Sequence, residues 1–156
     1  MDKLKIKQKN DLINSLSNLY FCDLDFLKDY NFYKTNSEKV YISKINIDNL
    51  NITRFSSIGV YFGTFHDNFR FRLSIEGSKL INPSKNYIIL KKTVLSSYLA
   101  AENLFKEDLE FINWENKCPF LIVKCDNKNL GSVSIKDNVI LNYIPKSRKL
   151  DYNKLF

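Results

Sequence analysis

His66 is the only histidine in this 156-residue sequence, and Cys22, Cys118 and Cys125 are its only thiols. A structural zinc site needs about four Cys or His ligands. The cysteines form no C-x-x-C pair, so no such site can be assembled, and three free thiols fit a reducing compartment. Nucleophilic catalysis would require His66 beside a Ser or Cys and a carboxylate in space. Its neighbours Asp67 and Asn68 are turn residues, which points to an exposed loop instead. Asp23 and Asp25 stand two apart like a carboxylate pair, yet no histidine or ligand cluster accompanies them, and they read as surface or capping residues. No phosphate-binding glycine loop and no H-E-x-x-H motif occurs. The expectation is a protein that is not an enzyme and needs no cofactor or metal.

The remaining chemistry is basic and aromatic. Net charge is +7, the isoelectric point is near 9.2, and aromatics make up 14% of the chain. A cationic balance favours a polyanionic partner, because phosphates attract Lys and Arg at long range. After Gly131 the cations Lys136, Lys146, Arg148, Lys149 and Lys154 outnumber Asp137 and Asp151, and Pro145 to Lys149 concentrates three of them. These five are the candidate RNA-binding residues; the competing reading is a solvated tail. Lys3, Lys5, Lys7 and Lys9 read as the solvated start of a helix rather than as a phosphate site.

Several elements must position these groups. Leu12, Ile13, Leu16, Leu19 and Tyr20 recur at helical spacing and predict an amphipathic helix over about 7–19. A short helix is expected within 21–30, then a strand at 31–34, a turn at Thr35-Asn36-Ser37 and a β-branched strand at 40–43. A capped short helix is expected from Asn46 or Ser43 to about Thr53. The run SIGVYFGTFHDNFRFRLSI from Ser57 to Ile75 then reads as a hairpin. Its second arm alternates Phe69, Phe71, Leu73 and Ile75 with Arg70, Arg72, Ser74 and Glu76, which predicts one buried face and one wet, basic face. Arg70 and Arg72 are therefore candidate partner-surface residues. Gly59 and Gly63 mark a bulge or a close backbone approach.

Asn82-Pro83-Ser84-Lys85-Asn86 is the expected domain boundary, dividing 1–82 from 83–156. Beyond it the sequence predicts a strand at 87–91, a helix over 94–102, and a helical turn at Leu104-Phe105 and Leu109. An apolar strand at 120–123, a turn at 126–129, a strand at 130–135 and a last strand at 139–144 follow. Short strands with small helices favour a compact barrel-like module. No apolar run approaches the roughly 20 residues of a membrane span, and Met1 to Lys5 opens no signal peptide. The chain is expected inside the cell, with no membrane partner.

Taken in order, these pieces resemble the Nip-seven family of large-subunit ribosome biogenesis factors. The similarity is carried by Val40-Tyr41-Ile42-Ser43, Ser57-Ile58-Gly59, Phe62-Gly63-Thr64-Phe65 and Phe71-Arg72-Leu73. It continues through Lys85 to Lys91, Ser97-Tyr98-Leu99, Leu104 to Lys106, Leu109, Pro119 to Val123 and Leu130-Gly131, so it covers about 38–136. The resemblance implies an α+β protein: an N-terminal α/β domain with an antiparallel sheet flanked by helices, then a PUA-like β pseudo-barrel that binds RNA. It implies a non-enzymatic role in pre-rRNA processing and large ribosomal subunit assembly. The implied partners are pre-rRNA, assembly factors and pre-ribosomal particles and, in archaeal relatives, the RNA exosome. The Phe69-Arg70-Phe71-Arg72-Leu73 arm is closer to eukaryotic members, which implies a nucleolar, nuclear protein (cytoplasmic if the source is archaeal). One departure matters. Where the family carries glycines this chain has Ala101 and Asp108, in a segment holding Glu102, Glu107 and Glu110 against Lys106. Carboxylates repel phosphate, so the basic tail becomes the leading candidate for U- or A-rich single-stranded RNA. The alternative is a protein-interaction module whose PUA-like half has lost RNA contact.

Overall fold

The computed structural model describes residues 1–50, 58–67 and 70–151. The fold is α+β, with two sheets that take their strands from successive parts of the chain. The first sheet has five antiparallel strands in the order β1 (Asp2–Lys3), β2 (Asn31–Lys34), β3 (Lys39–Ser43), β4 (Val60–Phe65) and β5 (Phe71–Leu73). Helix α1 (Ile6–Tyr20) covers it, burying Leu12, Ile13, Leu16 and Tyr20 against Phe32, Val40, Ile42, Phe62 and Leu73. The 3.6-residue period of α1 thus meets the two-residue period of the strands in one apolar layer. As expected, Gly59 and Gly63 are places where the backbone comes close. Gly59 has φ +64°, and a Cβ there would lie 2.1 Å from the Ile42 carbonyl oxygen. A Cβ on Gly63 would lie 2.5 Å from the Phe71 ring, beside a register shift between Val40 and Tyr41.

The second arm of the hairpin ends earlier than its alternation predicts. β5 stops at Leu73, and Ser74 caps a short helix α2 (Ile75–Lys79), its Oγ accepting the Gly77 N–H at 2.9 Å. A serine hydroxyl satisfies a free N–H of a first helical turn, and this local bond overrides the strand pattern. The expected face is also altered, because Arg72 is half-buried while Phe71 and Leu73 point into the core. Asn68 and Phe69, the rest of the predicted turn, lie outside the described residues. The helix expected near 46–53 is a single 3-10 turn, Ile47–Asn49, capped by Asn46; residues 51–53 lie outside the described set.

The second sheet has six strands in the order β7 (Leu104–Phe105), β11 (Val139–Asn142), β10 (Lys128–Lys136), β9 (Leu121–Cys125), β6 (Tyr87–Leu90) and β8 (Leu109–Asn113). Only β6 and β9 run parallel among these neighbours, and the fold includes a curled half-barrel sheet. Ile88, Leu90, Leu104, Leu121, Val123, Val133 and Ile140 form its core with Tyr98 of helix α3 (Leu95–Leu99). Tight turns at Asp126-Asn127 and Asp137-Asn138 have positive φ at both residues, the conformation that matches strand twist and that Asp and Asn tolerate. Leu104, Phe105 and Leu109 are not helical, contrary to expectation. Leu104 and Phe105 pair with Ile140 and Val139, and Leu109 opens β8; only Lys106–Asp108 between them is a 3-10 turn, closed by the Asp108 carboxylate accepting the Phe105 N–H at 2.8 Å.

The stretch Asn82–Asn86 joins the sheets and is itself clamped. The Ser84 and Lys85 N–H groups donate to the Tyr20 carbonyl at the end of α1. Buried Asn86 donates from Nδ2 to the Leu19 carbonyl at 2.7 Å and accepts the Glu115 N–H at 2.7 Å. Tyr20 Oη donates to the Phe120 carbonyl at 2.8 Å, and Cys118 and Ile122 pack into the core of the first sheet.

Candidate nucleic-acid interface

The described part of the tail after β11, residues 143–151, is tied to the fold. Pro145 lacks an N–H and cannot extend a ladder; it starts a 3-10 turn over Lys146–Arg148. Farther on, the Leu150 N–H donates to the Leu99 carbonyl at 2.8 Å, which pins the tail against the end of α3. Lys146 and Lys149 are exposed and form no ion pair among the described residues. Arg148 is also exposed but is paired, its Nη1 2.6 Å from Glu76 Oε1 at the start of α2.

This bridge closes one side of a small cavity of about 110 Å³ where the sheets meet, lined by Tyr61, Arg72, Tyr98, Gly131, Tyr143 and Arg148 among others. The Arg72 guanidinium lies over the Tyr143 ring, 4.3 Å from its centroid, and 5.9 Å from that of Phe120. Phe120 and Tyr143 meet edge-on at 5.8 Å, and the Tyr143 and Ser134 hydroxyls share a hydrogen bond of 2.7 Å. A guanidinium stacked on aromatic faces keeps its charge and its in-plane donors while losing conformational freedom. The cavity therefore sets two guanidinium groups, three tyrosines and a carboxylate around one opening.

The structure brings only some of the predicted residues together. Arg72 and Arg148, assigned from sequence to different surfaces, line the same cavity, whereas Lys146 and Lys149 flank Arg148 in the tail without lining it. Lys136 is exposed but sits at the far end of the β10–β11 ladder, three pairs from the Val133–Asn142 pair at which the tail departs, about 10 Å along the strand. Arg70 is exposed, with its Nε donating to the Asp67 carbonyl at 3.1 Å. Lys154 lies outside the described residues. Glu102, Glu107 and Glu110 are all exposed.

His66 is not the exposed loop residue its neighbours implied. It is half-buried, with its ring centroid 5.3 Å from that of Phe120 and Nε2 shielded from solvent without a hydrogen-bond partner among the described residues. Burial first, then the charges of Arg72 and Arg70, lower its pKa from 6.5, against a smaller opposing effect of Asp67. Among the described residues no group of His, Cys, Asp or Glu is arranged to hold a metal ion, and no helix is long and apolar enough to cross a membrane. Tyr61, Phe120 and Tyr143 were missed in the sequence. Their approach to Arg72 comes from the packing of one sheet on the other, and no local spacing signals it.

No protein-family model matches the chain, and no curated protein matches it in sequence.

Proposed function

We propose that this chain is a non-enzymatic RNA-binding factor of the Nip-seven type, acting in pre-rRNA processing and large ribosomal subunit assembly, with residues 83–156 serving as a PUA-like module. In this reading the protein works in the nucleolus on U- or A-rich single strands, alongside other assembly factors. The observation that carries it is that Arg72 and Arg148 line one opening bordered by Tyr61 and Tyr143, in a tail where exposed Lys146 and Lys149 flank Arg148. Cations track a phosphate backbone, and aromatic faces accept unstacked bases. The ordered motifs from Val40 to Gly131 and an α+β fold with a curled half-barrel sheet support the same assignment.

The exposed carboxylates of 102–110 favour a second reading, a protein-interaction module without RNA contact. Filter binding of single-stranded oligouridylate separates the two. Replacing Lys146 and Lys149 by alanine leaves the Arg148–Glu76 bridge intact, and removes two phosphate contacts of about 0.7 each from the salt slope of single-strand binding. The proposal expects a slope shallower by about 1.4, with the fold retained. A variant with unchanged affinity and slope would remove the tail from the interface.

A further inference from the structure

We propose a second RNA-contacting surface, at the opposite end of α2 from the tail, built from Lys79, Lys124 and Lys128 and an adjoining aromatic strip. It rests on the RNA-binding reading above and extends it to residues that neither charge runs nor motifs single out. Lys79 ends α2, Lys124 lies on β9, and Lys128 opens β10 after the Asp126-Asn127 turn. They line an open cleft of about 570 Å³ together with Asn82, Asn127 and Asn129, and no carboxylate lines it among the described residues. The nearest acid in sequence, Asp126, is engaged by Lys92, with Nζ 3.4 Å from Oδ1. None of the three cleft lysines has an acidic partner among the described residues. The carbonyls at the end of α2, a source of negative potential, are consumed as well, because Asn129 Nδ2 donates to Ser78 O at 2.6 Å and to Ile81 O at 2.5 Å.

The cleft does not end at the lysines. Lys124 Nζ lies 3.5 Å from Asn82 Oδ1 and 5.2 Å from the Tyr87 ring centroid, so it links the cleft to the sheet face beside it. On that face the register aligns Lys124, Ile89 and Phe111 across β9, β6 and β8, a row about 10 Å wide. The Tyr87 and Phe111 rings pack with centroids 5.4 Å apart at 33°, and Phe111 remains 43% exposed. Cations without acidic partners among the described residues, leading to exposed Phe111 backed by half-buried Tyr87, match a single strand, which offers phosphates and free base faces together. A duplex keeps its base faces stacked, and an acidic peptide gives the rings no flat partner. Together with the tail, this surface would hold a strand that passes along α2 from Glu76 to Lys79.

The test uses the full chain and single-stranded oligouridylate over 50–200 mM salt, comparing wild type with Lys79→Gln/Lys124→Gln/Lys128→Gln. Three contacts of about 0.7 each predict a slope shallower by about 2, so the advantage of wild type shrinks about 20-fold across this range. Lys79→Arg/Lys124→Arg/Lys128→Arg should retain the wild-type slope. Phe111→Ala should weaken binding about tenfold at unchanged slope, through lost stacking. Photocrosslinking of a 4-thiouridine strand to the wild-type chain, which needs no variant to fold, should yield adducts within 79–91, 109–114 or 124–130. Unchanged slope in the glutamine variant, or no adduct in these segments, overturns the cleft. If the Lys146/Lys149 variant loses RNA in the same experiment, the functional reading survives that failure. A wild-type chain that binds no RNA sinks both. Loss of poly-glutamate binding alone would assign the lysines to an acidic protein and also overturn this proposal.

Discussion

Asn86→Ala should be among the most damaging single substitutions in the chain, although Asn86 lies in the polar segment between the sheets. Its side chain joins the end of α1 to the turn after β8, donating to the Leu19 carbonyl and accepting the Glu115 N–H, both at 2.7 Å. Alanine removes both bonds and leaves two backbone groups unpaired in a site where Asn86 is only 3% exposed. A hydrogen bond contributes about 0.5–1.5 kcal/mol net, and a buried unpaired group costs about 1–3 kcal/mol. Asn86 also has φ +57°, a left-handed conformation that suits Asn and disfavours Ala by about 1 kcal/mol. The sum of two unpaired groups and the backbone term is a loss of about 3–7 kcal/mol, a large share of the 5–15 kcal/mol typical of a folded domain. At a urea m-value of about 2 kcal/mol/M, the midpoint falls by about 1.5–3.5 M. Two probes should move together: Trp114, the only tryptophan, reports the second sheet, and far-UV circular dichroism reports α1. Asn86→Gly tolerates the backbone conformation and should recover only the φ-dependent part. A midpoint shift under about 0.3 M in Asn86→Ala, where the hydrogen-bond argument requires several times more, would refute the reasoning. So would wild-type protein whose two probes unfold separately.

Further predictions follow from the same contacts. Because the folded pKa of His66 lies below 6.5, the unfolded chain binds more protons as pH falls beneath that value. Stability should therefore be flat above pH 6.5 and decline below it, with a shallower decline in His66→Gln; thermal melts from pH 7.5 to 5 would show this. Ser74→Ala removes the cap of α2, and also a hydrogen bond to the Tyr61 carbonyl, so it should lower stability by about 1–2 kcal/mol in denaturant titration. Burial pushes the Cys118 thiol up to about 11 and also raises Cys22 and Cys125. Ellman's reagent at pH 8 should then find no fast thiol, half-buried Cys22 should react first, and all three should react rapidly in guanidinium.

Local pattern carried much of this fold. Leu12, Ile13, Leu16 and Tyr20 place α1 because a helical stripe is written in neighbouring residues, and Asp126-Asn127 identifies its hairpin because the turn conformation restricts residue choice. β8 was illegible for the opposite reason. Its Glu110, Phe111 and Ile112 are all exposed, so no alternation marks an edge strand that depends on pairing with distant Tyr87–Leu90. α2 was hidden because Phe71, Leu73 and Ile75 keep a strand period through the residue where Ser74 caps a helix. The site follows the same division. The basic run from Lys146 to Lys149 is visible in the sequence, whereas the pairing of Arg148 with Glu76 and of Arg72 with Tyr143 depends on how one sheet packs against the other. The lysines at 79, 124 and 128 are likewise scattered along the chain and converge only through the Asn129 bonds to the end of α2.

The central claim is RNA contact, and crosslinking of the tagged protein in its own cells tests it most directly. The account predicts RNA-linked peptides that include the 143–151 segment, and pre-rRNA among the RNA recovered. Absence of crosslinked RNA, with partner proteins that still co-purify after nuclease treatment, would contradict it.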